Sequence, residues 1–174
     1  MVDWTRDWVP LSLAGVCIAA AVARVTIAWA DLPLVVASHY DALGRPDGRM
    51  ARDAFFIALG VALGLALVVT MLCPLLLRYL PSGAINLPYR DYWLAPERRD
   101  ASIARLEALL AWFVVPLAAF EALVVHLAVE ANLRRGAMDA SGLWLGLALL
   151  VGSFSFLTVQ IVRQFGAPPA GEKT

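Results

Sequence analysis

Four apolar runs, at about residues 10–30, 54–79, 106–129 and 142–162, take up most of this chain and leave only short polar stretches between them. The hydrocarbon core of a bilayer is ~30 Å thick and takes roughly 20 helical residues to cross, so each run is long enough to span it. Backbone surrounded by lipid has to satisfy its own hydrogen bonds, which restricts such runs to helices. The composition agrees: 61% hydrophobic and 16% charged, with mean hydropathy +0.73, is too apolar for an ordinary soluble domain. The fold class implied is an all-α membrane protein. It is a four-transmembrane-helix bundle forming a single domain over residues 1–165, with a flexible tail at 166–174.

Fourteen basic and fourteen acidic residues cancel, so no net field draws the chain to nucleic acid, and nucleic acid is set aside as a partner. The partners implied are the lipid bilayer and another membrane protein or complex. Cys17 and Cys73 both lie inside apolar runs without metal-ligand spacing, and they read as small buried side chains. Neither a metal nor a cofactor is indicated. Ala28-Trp29-Ala30 has the small-residue pattern of a signal-peptide cleavage site. Asp3 and Asp7 weaken the basic flank, however, and Arg24 interrupts the apolar stretch, so the first run is taken as a retained span.

With four spans, the N-terminus, the loop at 79–105 and the C-terminus share one side, and that side carries Arg6, Arg78, Arg90, Arg98, Arg99, Arg105, Arg163 and Lys173. The other side carries Arg45, Arg49, Arg52, Arg134 and Arg135. The excess of eight over five favours cytoplasmic termini in a bacterial inner membrane. Trp4, Trp8, Trp29, Trp93 and Trp144 fall near the expected interfaces, where amphipathic rings prefer to sit, whereas Trp112 lies inside span three.

Ionisable groups inside spans are costly and call for partners. Arg24 lies seven residues before Asp31 and Glu121 nine before Glu130, which puts both ~10–14 Å below the outer span ends at 1.5 Å per residue. The matched depth predicts an Arg24–Glu121 contact, with His126 nearer the outside. A register-fixing pair, a snorkelling Arg24 with a protonated Glu121, and a proton or ligand site all fit this pattern. Pro74 and Pro116 each remove a backbone donor and predict kinks. Gly60 and Gly64 have the small-xxx-small spacing that lets another helix approach closely.

The segment 32–50 stands apart, being polar and rich in turn residues between two spans. Leu32-Pro33 opens it extended, and Gly44 and Pro46-Asp47-Gly48 supply two turns, which predicts an ordered hairpin-like or Ω-type loop outside the membrane. His39 and Asp41 share a face of an extended chain, and Asp47 can return towards them. A metal site wants three or more such ligands and only this one histidine is nearby, and catalysis wants a nucleophile where only Ser38 is adjacent. The expectation is that His39 staples the loop by donating to a carboxylate or carbonyl, with Asp47 also holding its shape.

Leu32-Pro33, Val36, His39-Tyr40, Gly44 and Pro46-Asp47-Gly48 resemble the domain of unknown function found in SdpI-type bacterial membrane proteins. The usual form is Leu-Pro, a short extended piece, Pro-x-His-Phe and Gly-x-Pro-Asp after a first span. This chain departs from it at Ala37, where a proline is usual, at Tyr40 for phenylalanine and at Asp41 for asparagine. The resemblance covers about twenty residues plus the flanking spans. It implies the fold of the N-terminal part, and more remotely a role in immunity to a secreted toxin, since the best-known members are larger and have extra spans.

The loop after span two, with Tyr89, Tyr92, Trp93, Arg98 and Arg99, fits either a cytoplasmic docking surface or a belt of rings and arginines among lipid headgroups. Pro96-Glu97 suits the first turn of a helix running into span three. The function implied is non-enzymatic: a binding, sensor or toxin-immunity protein using its outer loop. An accessory subunit packed against a larger membrane complex is the alternative. A membrane enzyme or transporter using Glu121 and His126 has too few convergent polar groups to be preferred.

Overall fold

The computed structural model describes residues 8–168, and four helical segments within them are long and apolar enough to cross a membrane. Trp4, Arg6, Lys173 and most of the expected tail lie outside the described residues. Helix α1 covers Trp8–Ala28. An antiparallel hairpin of β1, Val35–Tyr40, and β2, Pro46–Ala51, follows and runs directly into α2, Arg52–Leu76. A short α3, Arg90–Trp93, precedes α4, Arg99–Leu110, and α5, Val114–Arg134. Helix α6 spans Ala140–Phe165, capped by Asp139, whose carboxylate accepts from the Gly142 amide at 3.0 Å.

Both prolines act where their chemistry requires. Pro116 has no N–H to offer the carbonyl four residues before it and crowds that turn, and the preceding Ala111–Phe113 tightens into a 3-10 turn between α4 and α5. Helix α2 ends two residues after Pro74, and Leu77–Tyr79 is again 3-10. The third span is therefore longer than its apolar run: α4, the turn and α5 form a 36-residue segment, Arg99–Arg134. The expected helix start near Pro96 is found at Arg99, so polar turns extend this span at both ends.

Helix α5 is the centre of the bundle, packing most extensively against α1, then α6, and least against α2. Ala14 of α1 meets Ala118 and Val114 of α5, where small side chains let the two backbones draw close. Nearer the hairpin, Ala28 and Leu32 pack on Val125 and Val129. Gly60 and Gly64 differ from expectation, because a Cβ added at either meets nothing within 4 Å. Within this chain the close approach these glycines allow is not used. Cys17 packs beside the Ala14 cluster, whereas Cys73 is exposed on α2, and both are free thiols.

The loop after α2, whose composition suits a docking surface or a lipid belt, packs in large part against its own chain. Ile85, Leu87 and Leu94 fold under Ile103, Leu106, Leu109 and Phe165 as a small core of their own. The Trp93 indole donates to the Phe165 carbonyl at 2.9 Å and meets its ring edge-on. The Arg98 guanidinium lies 4.0 Å over the Tyr92 ring and donates to the Tyr92 carbonyl at 3.1 Å. Arg99 caps the chain after α2 by donating to the Leu80 carbonyl at 2.6 Å. Trp93, Arg98 and Arg99 are thus engaged within the chain, and Tyr89 is the exposed aromatic of the set. Arg78 grips Glu107 with two hydrogen bonds of 2.7 and 2.6 Å, joining the end of α2 to α4.

The Glu107 side chain is only 10% exposed, so removing its partner leaves a nearly buried carboxylate unanswered. Arg78→Met is therefore expected to destabilise the fold, read as a lower melting temperature in detergent. Adding Glu107→Leu to that variant should recover most of the loss, because the orphaned charge is then gone. A double variant no more stable than the single one would show that the pair does not tie α2 to α4.

Candidate functional site

The hairpin turn is built by two residues. Asp41 donates its amide to the Arg45 carbonyl at 2.9 Å, while its carboxylate accepts from the amides of Leu43 at 2.9 Å and Arg45 at 2.8 Å. Gly44 closes the turn at φ +79, where a side chain would also run into the Met138 carbonyl. Leu32 is buried against α5, and Pro33 leads the extended chain into β1. Pro46-Asp47-Gly48, expected as a second turn, is instead the first half of β2. Proline is tolerated as the first residue of a strand, and a Cβ added at Gly48 would lie 3.1 Å from the His39 side chain, which would have to give way. The register shifts on either side of His39, so Ser38 and Asp47 fall outside the ladder as bulges.

His39 and Asp47 do not staple the hairpin. Both are exposed, and neither side chain has a hydrogen-bonding partner among the described residues. The staple is Asn132, on the last turn of α5. Its Oδ1 accepts from the Ala37 amide at 2.7 Å, and its Nδ2 donates to the Ala37 carbonyl at 3.2 Å, the Tyr40 hydroxyl at 3.2 Å and the Ala128 carbonyl at 2.9 Å. A side-chain amide offers the same donor and acceptor pair as a peptide, so Asn132 pairs with β1 as a third strand would. Tyr40 is half-buried in this arrangement, and burial pushes its phenol above the ordinary value against a smaller opposing pull from Asn132.

Three further ties fix the hairpin. Arg52 donates to the Trp29 carbonyl at 2.9 Å and lies 4.2 Å over the Trp29 ring, closing the end of α1 onto the start of α2. The Met138 amide donates to the Gly44 carbonyl at 2.8 Å, and the Trp144 indole to the Ala42 carbonyl at 3.2 Å. Behind the sheet Val36 is fully buried on Phe55, Leu127, Ala128 and Ala131. Leu34, at the base of the hairpin, and Leu43, in its turn, are 77% and 66% exposed, and Arg45, Asp47 and Arg49 are exposed as well. Among the described residues no three His, Cys, Asp or Glu side chains converge as a metal site would need.

The intramembrane charges pair differently from expectation. Arg24 reaches Glu130 at 2.7 Å and His126 Nδ1 at 3.4 Å, and it does not contact Glu121. The depths explain this, since α1 stops at Ala28 while α5 continues to Arg134. Arg24 and Glu130 each sit four residues, ~6 Å, from their helix ends, whereas Glu121 is ~20 Å below its own. Nine residues also turn Glu121 to the opposite face of α5 from Glu130, at ~100° per residue. Both Glu130 oxygens are engaged, since the other one meets Arg134 at 2.7 Å. Glu121 is 6% exposed, and its Oε1 has no hydrogen-bonding partner among the described residues.

Asn132→Ala leaves the buried Ala37 amide and carbonyl unanswered, at a cost of about 2 kcal/mol. Amide exchange across β1 should quicken by roughly 30-fold in consequence. His39→Ala and Asp47→Asn should leave that protection within a factor of about 2, as expected of surface changes. Equal loss of protection in all three variants would restore His39 and Asp47 as the staples.

Comparison of the chain with protein-family models, with curated proteins and with solved structures finds no match to any of them.

Proposed function

We propose that this is a non-enzymatic protein of SdpI-like type in a bacterial inner membrane. Its termini are cytoplasmic, and its outer hairpin serves a binding, sensing or toxin-immunity role. The observation that carries the reading is the number of anchors committed to a hairpin outside the spans. Asn132, Arg52, Met138 and Trp144 tie it to elements from all four membrane segments. A connection between two spans needs none of this, since short polar loops suffice. Rigid anchoring under an exposed apolar and ionic rim is what a recognition surface requires, because a pre-ordered surface loses less entropy on binding. With the shape-holding work done by Asn132 and Asp41, the exposed His39, Asp47, Leu34 and Leu43 are free to meet a ligand.

A second reading, an accessory subunit of a larger complex, draws on α2. That helix is the least packed of the four and exposes Ile57, Val61, Leu65, Val68 and Leu72.

Deletion of the protein is expected to sensitise its host to the medium of a dense, competing culture. The wild-type chain should restore growth, and Leu34→Glu/Leu43→Glu, present in the membrane at normal level, should not. Full rescue by that variant would defeat the hairpin reading. Stoichiometric co-elution with a large complex, together with full rescue, would establish the accessory role instead.

A further inference from the structure

We propose that the groove between α1, α2 and α5 is a binding site, open to the lipid, for a single-chain amphiphile whose head donates one hydrogen bond to Glu121. This inference is independent of the hairpin reading. The groove encloses about 330 Å³, within the range of small-molecule sites. Its walls are aliphatic, from Ile18 and Val22 of α1, Leu63 of α2 and Val125 of α5, and Gly60 and Gly64 hold one side open. Two polar side chains reach it. The Thr26 hydroxyl is committed to the Val22 carbonyl at 2.9 Å, which leaves Glu121.

Glu121 is 6% exposed and lines the groove, and among the described residues neither carboxyl oxygen has a hydrogen-bonding partner: Oε1 is fully buried, so the oxygen left to the groove is Oε2. A buried polar group without a partner is costly, and the nearest arginine on α1 is already held by Glu130 and His126. The missing partner is therefore an O–H or N–H donor arriving from outside the chain. A hydroxyl and an ammonium head share that chemistry.

The shape favours a thin molecule over a protein helix. The α2 side chains close both ends of the groove: Phe56 packs on Trp29 with ring centroids 5.8 Å apart, and Leu67 packs on the Ala14–Ala118 contact. A helix ~10 Å across would have to break these contacts to reach Glu121. An extended hydrocarbon chain would not. The lining runs from Phe56 to Leu67 along α2, ~16 Å at 1.5 Å per residue, close to the reach of about a dozen extended carbons.

The test uses the full chain in native membrane vesicles and then in phosphatidylcholine vesicles. Three photoreactive twelve-carbon probes are compared: an alcohol, an ammonium and an alkane without a head group. The alcohol or the ammonium should label groove residues about fivefold more than the alkane, the factor supplied by one net hydrogen bond of ~1 kcal/mol. Which of the two leads tells the head-group class. Glu121→Leu should reduce labelling to the alkane level while raising the melting temperature, since it removes an unanswered polar group. Gly60→Leu/Gly64→Leu should block all three probes. Equal labelling by the three probes, or a preference that survives Glu121→Leu, would overturn the proposal. So would a groove closed to every probe in native membranes but open after purification, because a protein segment would then be its occupant.

Discussion

The pairing of the Asn132 amide with both backbone groups of Ala37 is the contact on which the membrane-external part of the molecule depends. A two-stranded hairpin is marginal by itself, and its free edge presents unpaired donors and acceptors. Asparagine and glutamine can answer an edge residue on both counts from one side chain. Placed on the last turn of α5 and 4% exposed, Asn132 does so from the most deeply packed helix in the bundle. With Ala37 held, Val36 is pressed into the cluster formed by Phe55, Leu127 and Ala131, and the remaining ties close around that point.

The spans were legible because lipid allows few solutions. A run of twenty apolar residues becomes a helix, and Pro74 and Pro116 mark where its hydrogen bonding falters. The turn of the hairpin was legible from Gly44, whose positive φ is a property of that residue type. The staple was not. Asn132 stands between an apolar run and Arg134-Arg135-Gly136, where asparagine reads as an ordinary helix ending, and its partner lies 95 residues away. His39 drew attention by being one of only two histidines, but rarity in a composition says nothing about distance in space.

The terminal-end loop shows the same limit in another form. Tyr92, Trp93, Arg98 and Arg99 have the composition of an interface, and they do form one, between parts of the same chain. Aromatic and arginine side chains satisfy a neighbouring helix, a partner protein or a lipid headgroup by the same physics. In the folded chain Trp93 meets Phe165, brought back by α6 some seventy residues later. The Arg24–Glu121 pairing failed for a geometric reason instead. Depth measured from the end of the apolar run misplaces Glu121, because α5 continues through polar residues to Arg134.

Helix α2 unites these observations. It is held at one end by Arg52 on the Trp29 carbonyl and ring, and just past its other end by Arg78 on Glu107. Between the two clamps it packs lightly, and its glycines face the cavity beside Glu121. The loosest wall of the groove is therefore fixed at its ends and compliant in the middle. Movement there need not disturb either clamp, because packing contacts of a few side chains are weaker than a bidentate ion pair or a capped carbonyl. One packed path does leave the groove: Phe56 lines it, meets Phe55 edge-on at 5.0 Å, and Phe55 is buried with Val36 of the hairpin. The two places where this chain departs from a plain bundle, the stapled hairpin and the acid-lined groove, are thus joined by three side chains in contact.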